Sequence, residues 1–561
     1  MLLKTCIAHR SMLPGEDVAF VQFRRDVSWG VGRIRHAEGA RVEEERGVDA
    51  PPNILFIVAD DLRPTLGCYG DDVALTPAID SLAQEGVLFA NAHAQQALCG
   101  PSRTSFLTSR RPDSLRLYSN HGHYWRRAVG NFTSLPQYFK EHGYHTVSVG
   151  KVFHPGSMSG HHCDYPFSWS EKPYLPPSNK YENTKVCPDV DGNLEANLLC
   201  AVNVSSQPLG TLPDLESSQY ATEFLRRWSS SDGRRGAARA PFFMAVGYHK
   251  PHIPFRIPQE YLGLYPMESM SLPPDHDRPA GLPDIAWNPW TDLRKRHDVA
   301  LLNVSFPYGP MPFQFQKDIR RHYYAAVSYL DSQVSSLLDV LNETGLRRNT
   351  WVVFIGDHGW ALGEHQEFSK YSNFRTVTRV PFIVSPPPSS EPEVSFREPD
   401  YSWHGRSPGD AIVVREPVSL LDLFPTLASL AGLPVPPDCG SPGASTETCT
   451  DGVNLDDALR RHQVLTQYPR PSVEPQTNSD QPDAEDIRFM GYSVLSVDYR
   501  YTEWLGFNAT TAHRNWTDLV ARELYDLRKD PREDRNVAGD PAYGNAVRAL
   551  SAELRRLVGS P

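Results

Sequence analysis

No apolar stretch of the 561-residue chain approaches the roughly 18 residues that a membrane-spanning helix requires, so a spanning protein is excluded. A stripe of lysine and arginine that could track a phosphate backbone is also missing, which sets nucleic-acid binding aside. There is no internal repeat. Residues 1–49 are rich in Arg and Glu and lack the continuous apolar segment of a secretory signal peptide; they are read as an extension outside the fold. Against these absences, the apolar and charged fractions, 40% and 22%, are ordinary for a globular enzyme.

Proline is abundant, at 49 residues, and clusters in connecting segments. The formal charge is −11 with neutral histidine, and there are 20 histidines. Near pH 5, by rough count, such a chain is neutral to positive, which suits a polyanionic substrate met in acid. Of the 8 cysteines, Cys187 with Cys200 and Cys439 with Cys449 lie close together in loop-like segments. They are the expected disulfides of an oxidising compartment, whereas Cys6, Cys68 and Cys163 look unpaired. Asn131, Asn203, Asn303, Asn342, Asn508 and Asn515 each open an N-x-S/T sequon. Together they favour a glycosylated protein of the secretory route.

Asn53–Ala59 and Trp351–Gly356 are continuous, β-branched apolar runs, the pattern of strands buried on both faces of a parallel sheet. The first ends at Asp60-Asp61 and the second at Asp357-His358-Gly359. An open α/β sheet builds its site at that carboxyl edge. His145–Val149 runs into Gly150-Lys151, and Pro241–Val246 into Gly247-Tyr248-His249-Lys250. A helix is expected over 318–341, where Ile319, Tyr323, Val327, Leu330, Val334 and Leu338 form one stripe. Strands alternating with helices predict an α/β fold, a mostly parallel central sheet sandwiched by helices. From about 487 the pattern becomes antiparallel (488–494, 499–504, 523–527), followed by a helix over 544–557. This predicts a smaller C-terminal α+β subdomain with an antiparallel sheet. The expected boundaries are an extension at 1–49, a catalytic domain at 50–435, a Pro-rich linker at 436–485 and the subdomain at 486–561. Residues 384–412 read as a further surface excursion.

Three carboxylates converging on one edge repel unless a hard cation neutralises them, and Ca²⁺, with six to eight oxygen ligands, suits such a cluster. Cys99 opens Cys99-Gly100-Pro101-Ser102-Arg103 and is expected at a helix N-terminus, where backbone N–H groups favour an anion. Pro101 fits the first turn, and Arg103, four residues on, shares a face with Cys99. A lone cysteine there would read as core. The pattern C-x-P-S-R, with the acids above, resembles the type I sulfatase family.

That resemblance implies that Cys99 is converted by the formylglycine-generating enzyme to an aldehyde. One hydroxyl of the aldehyde's hydrate attacks sulfur and the other later expels sulfate. It implies one Ca²⁺ held by Asp60, Asp61, Cys99, Asp357 and His358, the last standing where many members carry Asn. It assigns catalysis to Cys99, Arg103, Lys151, His154, His249 and Lys370. His154 would take the proton as the sulfated diol collapses, and His249 would donate to the leaving sugar oxygen. Two lysines and an arginine would neutralise the sulfate. The family's L-T-G-R reads Leu107-Thr108-Ser109-Arg110 here, a departure that bears on how the helix ends.

Further segments narrow the resemblance: Gly247–Arg256, Tyr181-Glu182-Asn183-Thr184-Lys185, Asp357–His365 and Gln467–Pro471. They are similar to the branch that removes the 2-O-sulfate of non-reducing-end L-iduronate from heparan and dermatan sulfate. The implied partners are sulfated glycosaminoglycan oligosaccharides, and the implied destination is the lysosome, with a proteolytic cut between the domains in 434–485. The substrate carboxylate calls for a basic residue near the pocket mouth. Trp360, Lys250 and Arg500 are the candidates for substrate contact, and Lys370 competes for the carboxylate; core packing and a structural ion pair are the competing roles of Trp360 and Arg500. Alternatives are a phosphoesterase of the same superfamily, a sulfatase for another sugar such as glucosamine 6-sulfate, and a catalytically dead glycosaminoglycan-binding homologue.

Overall fold

The computed structural model describes residues 51–189, 191–230, 240–388, 412–455 and 463–559. The 1–49 extension and most of the 384–412 excursion lie outside the described residues. Seven strands form the central sheet: β1 (Asn53–Asp60), β2 (Val87–Phe89), β3 (His145–Gly150), β4 (Phe242–Pro251), β5 (Thr350–Gly356), β6 (Phe382–Ser385) and β7 (Ile412–Val414). Their order is β7-β2-β6-β5-β1-β4-β3. The β5–β1–β4–β3 block is parallel. β6 alone runs antiparallel to its neighbours. The four strands read from sequence are thus adjacent and parallel, and their carboxyl ends meet at one edge.

β1 shows why this block sits in the centre. Leu55, Ile57 and Ala59 face one core cluster and Ile54, Phe56 and Val58 the other, the period of two expected of a strand. Every residue of β1 is buried. One face is covered by α2 (Pro213–Ser230) and the 31-residue α3 (Phe313–Glu343). The apolar stripe predicted over 318–341 lies inside α3. The other face receives α1 (Cys99–Thr108) through Phe106 and Leu107. Each fully buried aliphatic side chain is worth roughly 1.5–3 kcal/mol, so strand ends anchored between two such layers are stiff platforms.

The C-terminal part is a four-stranded antiparallel sheet, β8 (Gln463–Arg470), β9 (Phe489–Ser496), β10 (Tyr499–Asn508) and β11 (His513–Asp526), in that spatial order. Helix α4 (Gly544–Val558) lays Leu550, Leu554 and Val558 on one face, over Met490, Tyr492 and Leu505. The other face meets the large domain through Tyr468, Trp504 and Tyr525 against Trp287, Tyr371 and Phe374. Two expectations change here. β8 falls inside the stretch read as linker; it carries Pro469, which a sheet tolerates only on an edge strand, and β8 is an edge. β11 begins ten residues before the predicted 523, because its first half alternates exposed and half-buried residues and offers no apolar run.

Two acids are buried at the seam between these parts. Glu367, 1% exposed, accepts the Asn288 N–H at 2.9 Å, and burial pushes its carboxyl up to about 8. Asp480 accepts from the Thr291 backbone and hydroxyl; burial and then Asp292 push it up to about 7. An acid whose folded pKa is raised binds its proton more tightly folded than unfolded. Its stabilisation is full below the ordinary carboxylate value and is lost as pH rises toward the raised one. Buried His93 and His322, held below the imidazole range by burial, act in the opposite sense, so a difference isolates the acids. Glu367→Gln is expected to match the parent Tm near pH 5 and to exceed it by on the order of a few °C near pH 8; thermal unfolding across that range measures it, and a pH-independent difference contradicts a protonated Glu367.

Candidate active site

β1 and β5 are in register as Ala59 with Gly356, so Asp60-Asp61 and Asp357-His358 leave adjacent strand ends side by side. Asp61 turns back with φ of 63° and donates its N–H to Asp357 Oδ1 at 3.0 Å, while Tyr323 donates its hydroxyl to the Asp61 carbonyl at 2.7 Å. Helix α1 starts at Cys99 and is buried at every residue. Ser102 donates to the Asp357 carbonyl, which docks the helix N-terminus onto the strand end. From α1, Arg103 reaches both carboxylates: Nη2 to Asp60 Oδ1 at 3.1 Å and Nε to Asp357 Oδ2 at 2.9 Å. It also donates to the carbonyls of Lys151 and Val152, tying in the end of β3.

Lys151 donates to Asp60 Oδ2 at 2.5 Å. Its position depends on Gly247: a Cβ there would stand 1.9 Å from the Lys151 carbonyl oxygen, and the Lys151 N–H donates to the Gly247 carbonyl at 2.8 Å. Any side chain at 247 would lift Lys151 off Asp60. Lys370 donates to Asp61 Oδ1 at 2.6 Å and lies 3.6 Å from Cys99 Sγ. The loop carrying it is braced by β8 and β9: Arg470, itself 1% exposed, donates to the Tyr371 carbonyl at 2.7 Å, and Asn373 donates to the Gly491 carbonyl at 3.0 Å.

Cys99, Lys151, His154, His249 and Lys370 share the wall of one cavity of about 330 Å³. Arg103 lies behind that wall, fully buried. Burial alone would raise Asp60, but Lys151 and Arg103 hold it well below the carboxylate range, while burial keeps Asp357 raised. Burial and then Asp60 push the Cys99 thiol up. Burial and neighbouring Lys151 hold His154 well below the imidazole range, which disfavours its charged form. His249 is set by Asp214 on α2, which accepts the His249 backbone N–H at 2.7 Å and lies 3.4 Å from the ring Nδ1.

Asp60, Cys99, Asp357 and His358 offer donor atoms within 4.8 Å of one another, all buried. Asp61 Oδ2 is buried with no hydrogen-bond partner, an orphaned charge-bearing oxygen of the kind a cation satisfies. His358 Nδ1 lies 2.9 Å from the Gly359 carbonyl and so carries the proton. The Nε2 lone pair then points into the cluster, 3.3 Å from Cys99 Sγ and 3.5 Å from Asp61 Oδ1. That is the tautomer of a metal-ligating histidine whose other nitrogen is fixed by a carbonyl. The oxygen-rich set fits a hard cation, and His358 adds nitrogen to it.

The substrate candidates fare differently. Trp360 is fully buried between Tyr323 and Phe255. Arg500 is buried on Glu533 and Glu523 and over Phe374 and Tyr525. Neither is on the cavity wall; both occupy positions where a large side chain fills core. Lys250 spends its ammonium on the carbonyls of His252 and Pro254, and burial lowers it to about 8. Residues that sequence reasoning passed over do line the cavity: His252, Glu182, Asp292 and Arg296. His252 and Glu182 stand in the quoted Gly247–Arg256 and Tyr181–Lys185 segments; Asp292 and Arg296 carry no motif. Ser109 ends α1 in the left-handed region, φ 50°, where glycine is the usual residue. Its hydroxyl donates to the Leu421 carbonyl and accepts the Gly452 N–H, which offsets the strain, so the helix end is intact.

Both expected disulfides are present, Cys187–Cys200 and Cys439–Cys449; Cys68 and Cys163 are free. Asn131, Asn203, Asn303, Asn342, Asn508 and Asn515 are all exposed. Among the described residues no helix is long and apolar enough to cross a membrane.

Mouse iduronate 2-sulfatase is 50% identical over 525 residues, covering 89% of this chain and 93% of the relative. Human iduronate 2-sulfatase is 49% identical over 537 residues, covering 92% and 96%. The crystal structure of a phosphonate monoester hydrolase of Agrobacterium radiobacter superposes with a TM-score of 0.62 at 21% identity, covering 90% of this chain and 95% of that one; at that identity it attests the fold. The sulfatase family model matches residues 52–433, a span that holds both acidic strand ends, Cys99 and every lysine and histidine of the cavity, and the chain belongs to the sulfatase family of sulfuric ester hydrolases.

Proposed function

We propose that the protein hydrolyses the 2-O-sulfate of non-reducing-end L-iduronate in heparan sulfate and dermatan sulfate, with a formylglycine made from Cys99 and one Ca²⁺. The observation that carries the reading is Cys99 at the N-terminus of a buried helix, on the wall of one cavity with Lys151 and Lys370, which are paired to Asp60 and Asp61. The substrate rests on near 50% identity, over most of both chains, to relatives named iduronate 2-sulfatase. The formylglycine-generating enzyme is the partner that reads Cys99–Arg103. Six exposed sequons, two disulfides and a charge that falls toward zero in acid fit a glycosylated protein of the lysosome. The Pro-rich stretch 434–485 remains the expected place of a proteolytic cut.

Asp60, Asp61, Asp357 and His358 would hold the cation, which supplies Lewis-acid neutralisation of the sulfate oxygens. Lys151 and Lys370 add positive charge at the same place, and Arg103 fixes the two carboxylates on which that placement depends. His154, neutral, accepts the proton of the hydroxyl that expels sulfate. His249, oriented by Asp214, donates to the leaving sugar oxygen.

Sulfate release near pH 5 from a heparan-type disaccharide with a 2-sulfated terminal iduronate tests this. The protein made in a secretory host is expected to release it and Cys99→Ala is not, with the mass of the Cys99 peptide showing conversion to the aldehyde. A peptide mass of unmodified cysteine from an active preparation contradicts the nucleophile. His249→Ala is expected to lower kcat by about 10²–10⁴ with KM within a few-fold; an unchanged kcat removes His249 from leaving-group protonation. Prolonged dialysis against a chelator is expected to reduce turnover at least about tenfold, with recovery on Ca²⁺ and less on the smaller, more strictly octahedral Mg²⁺; full activity after verified metal removal contradicts the cation.

A further inference from the structure

The cavity carries more than the sulfate machinery uses. Lys151 is held on Asp60 and Lys370 on Asp61, His249 lies against Asp214, and His252 lies between Asp61 and Glu182. Arg296, on the same wall, differs. It is half-buried, just after the short helical turn Thr291–Arg294, and among the described residues its guanidinium has no hydrogen bond or ion pair. Asp292, its neighbour on the wall, is occupied by the hydroxyls of Ser369 and Tyr371, each at 2.8 Å, and is not its counter-ion. An arginine lodged in a half-enclosed cavity without an internal partner is left to an anion from outside. Its planar fork can donate two parallel N–H···O bonds to a carboxylate.

The sulfate is already provided for by Lys151, Lys370 and the start of α1 on the same cavity wall. A second cation therefore selects a substrate with a second anion. Lys250 and Arg500, the other basic candidates, are spent on internal carbonyls and glutamates. We propose that Arg296 binds the carboxylate of the uronate whose sulfate ester is cleaved, and so makes the site select sulfated uronic acids over sulfated neutral sugars. This rests on the uronate reading above.

The test compares the parent with Arg296→Ala and Arg296→Lys on three substrates: the 2-sulfated iduronate disaccharide, the same disaccharide with its carboxyl reduced to an alcohol, and a small aryl sulfate. In the parent, KM is expected to be about 10- to 100-fold lower for the acid than for the reduced form, as a desolvated charge-assisted pair would give. In Arg296→Ala that ratio is expected to collapse toward one through a higher KM for the acid, with kcat changed only a few-fold. Arg296→Lys, which keeps the charge without the fork, is expected to recover part of the ratio. A ratio that survives in Arg296→Ala overturns the proposal, as does an equal loss on both disaccharides. Aryl sulfate turnover and Tm report whether each variant is folded; should Arg296→Ala fail there, Arg296→Lys carries the comparison, and a full parental ratio in it overturns the bidentate assignment. A parent that cleaves the aryl sulfate and neither disaccharide refutes the uronate reading itself, and this proposal with it.

Discussion

The site depends on one buried guanidinium. Arg103 joins Asp60 at the end of β1, Asp357 at the end of β5 and the carbonyl chain beyond β3, with no exposure to solvent. Three strand ends and a helix start are thereby fixed by a single side chain. A buried ion pair of this kind contributes little net stability against an apolar replacement, but removing one partner strands the others, at a cost of about 3–5 kcal/mol. Here Asp357 would lose its cationic partner while Asp60 kept Lys151. The arrangement is therefore better understood as setting geometry than as adding stability, and it explains why an arginine belongs four residues after the cysteine, on the helix face that looks at both strand ends.

What surrounds that guanidinium is arranged in layers. Adjacent parallel strands bring the acids together; the smaller domain brings the base of the opposite wall. Arg470 from β8 and the Gly491 carbonyl of β9 hold the loop on which Lys370 sits. The C-terminal sheet is thus part of the site's support, although it contributes no side chain to the cavity wall. A backbone cut within 434–485 but outside β8 would leave this contact in place, since β8 and β9 hold the loop through side chains and carbonyls buried across the seam.

The sequence made the catalytic half of this legible for a physical reason. Strands buried on both faces are written as unbroken apolar runs, and acids or bases placed just after such runs have few structural uses. That is how Asp60, Asp61, Asp357, Lys151 and His249 could be placed at one edge before any coordinates. The other half was not legible. β8 hides behind Pro469, and β11 begins as a polar hairpin arm. Trp360 and Arg500 looked like substrate contacts because aromatic and guanidinium groups serve both ligands and cores, and only burial separates the two uses. Arg296 gives no sequence signal at all: it stands in a charged run, Arg294-Lys295-Arg296, and its distinction is the lack of a partner, which is a property of the fold alone.

The charges close the argument. Asp60, Asp61 and Asp357 carry three negative charges when ionised, and Arg103, Lys151 and Lys370 carry three positive ones. The cluster is near neutral by itself when all three acids are ionised, although burial raises Asp357. A divalent cation added to this set leaves two positive charges in a half-enclosed cavity of low dielectric, where such an imbalance is costly unless an anion enters with it. A sulfate monoester brings one negative charge. A uronate brings a second, which on the proposal above pairs with Arg296, so that a doubly charged ligand lowers the positive excess further than the sulfate alone. Binding of ion and ligand is then expected to be mutually reinforcing, each raising the affinity for the other by the same factor.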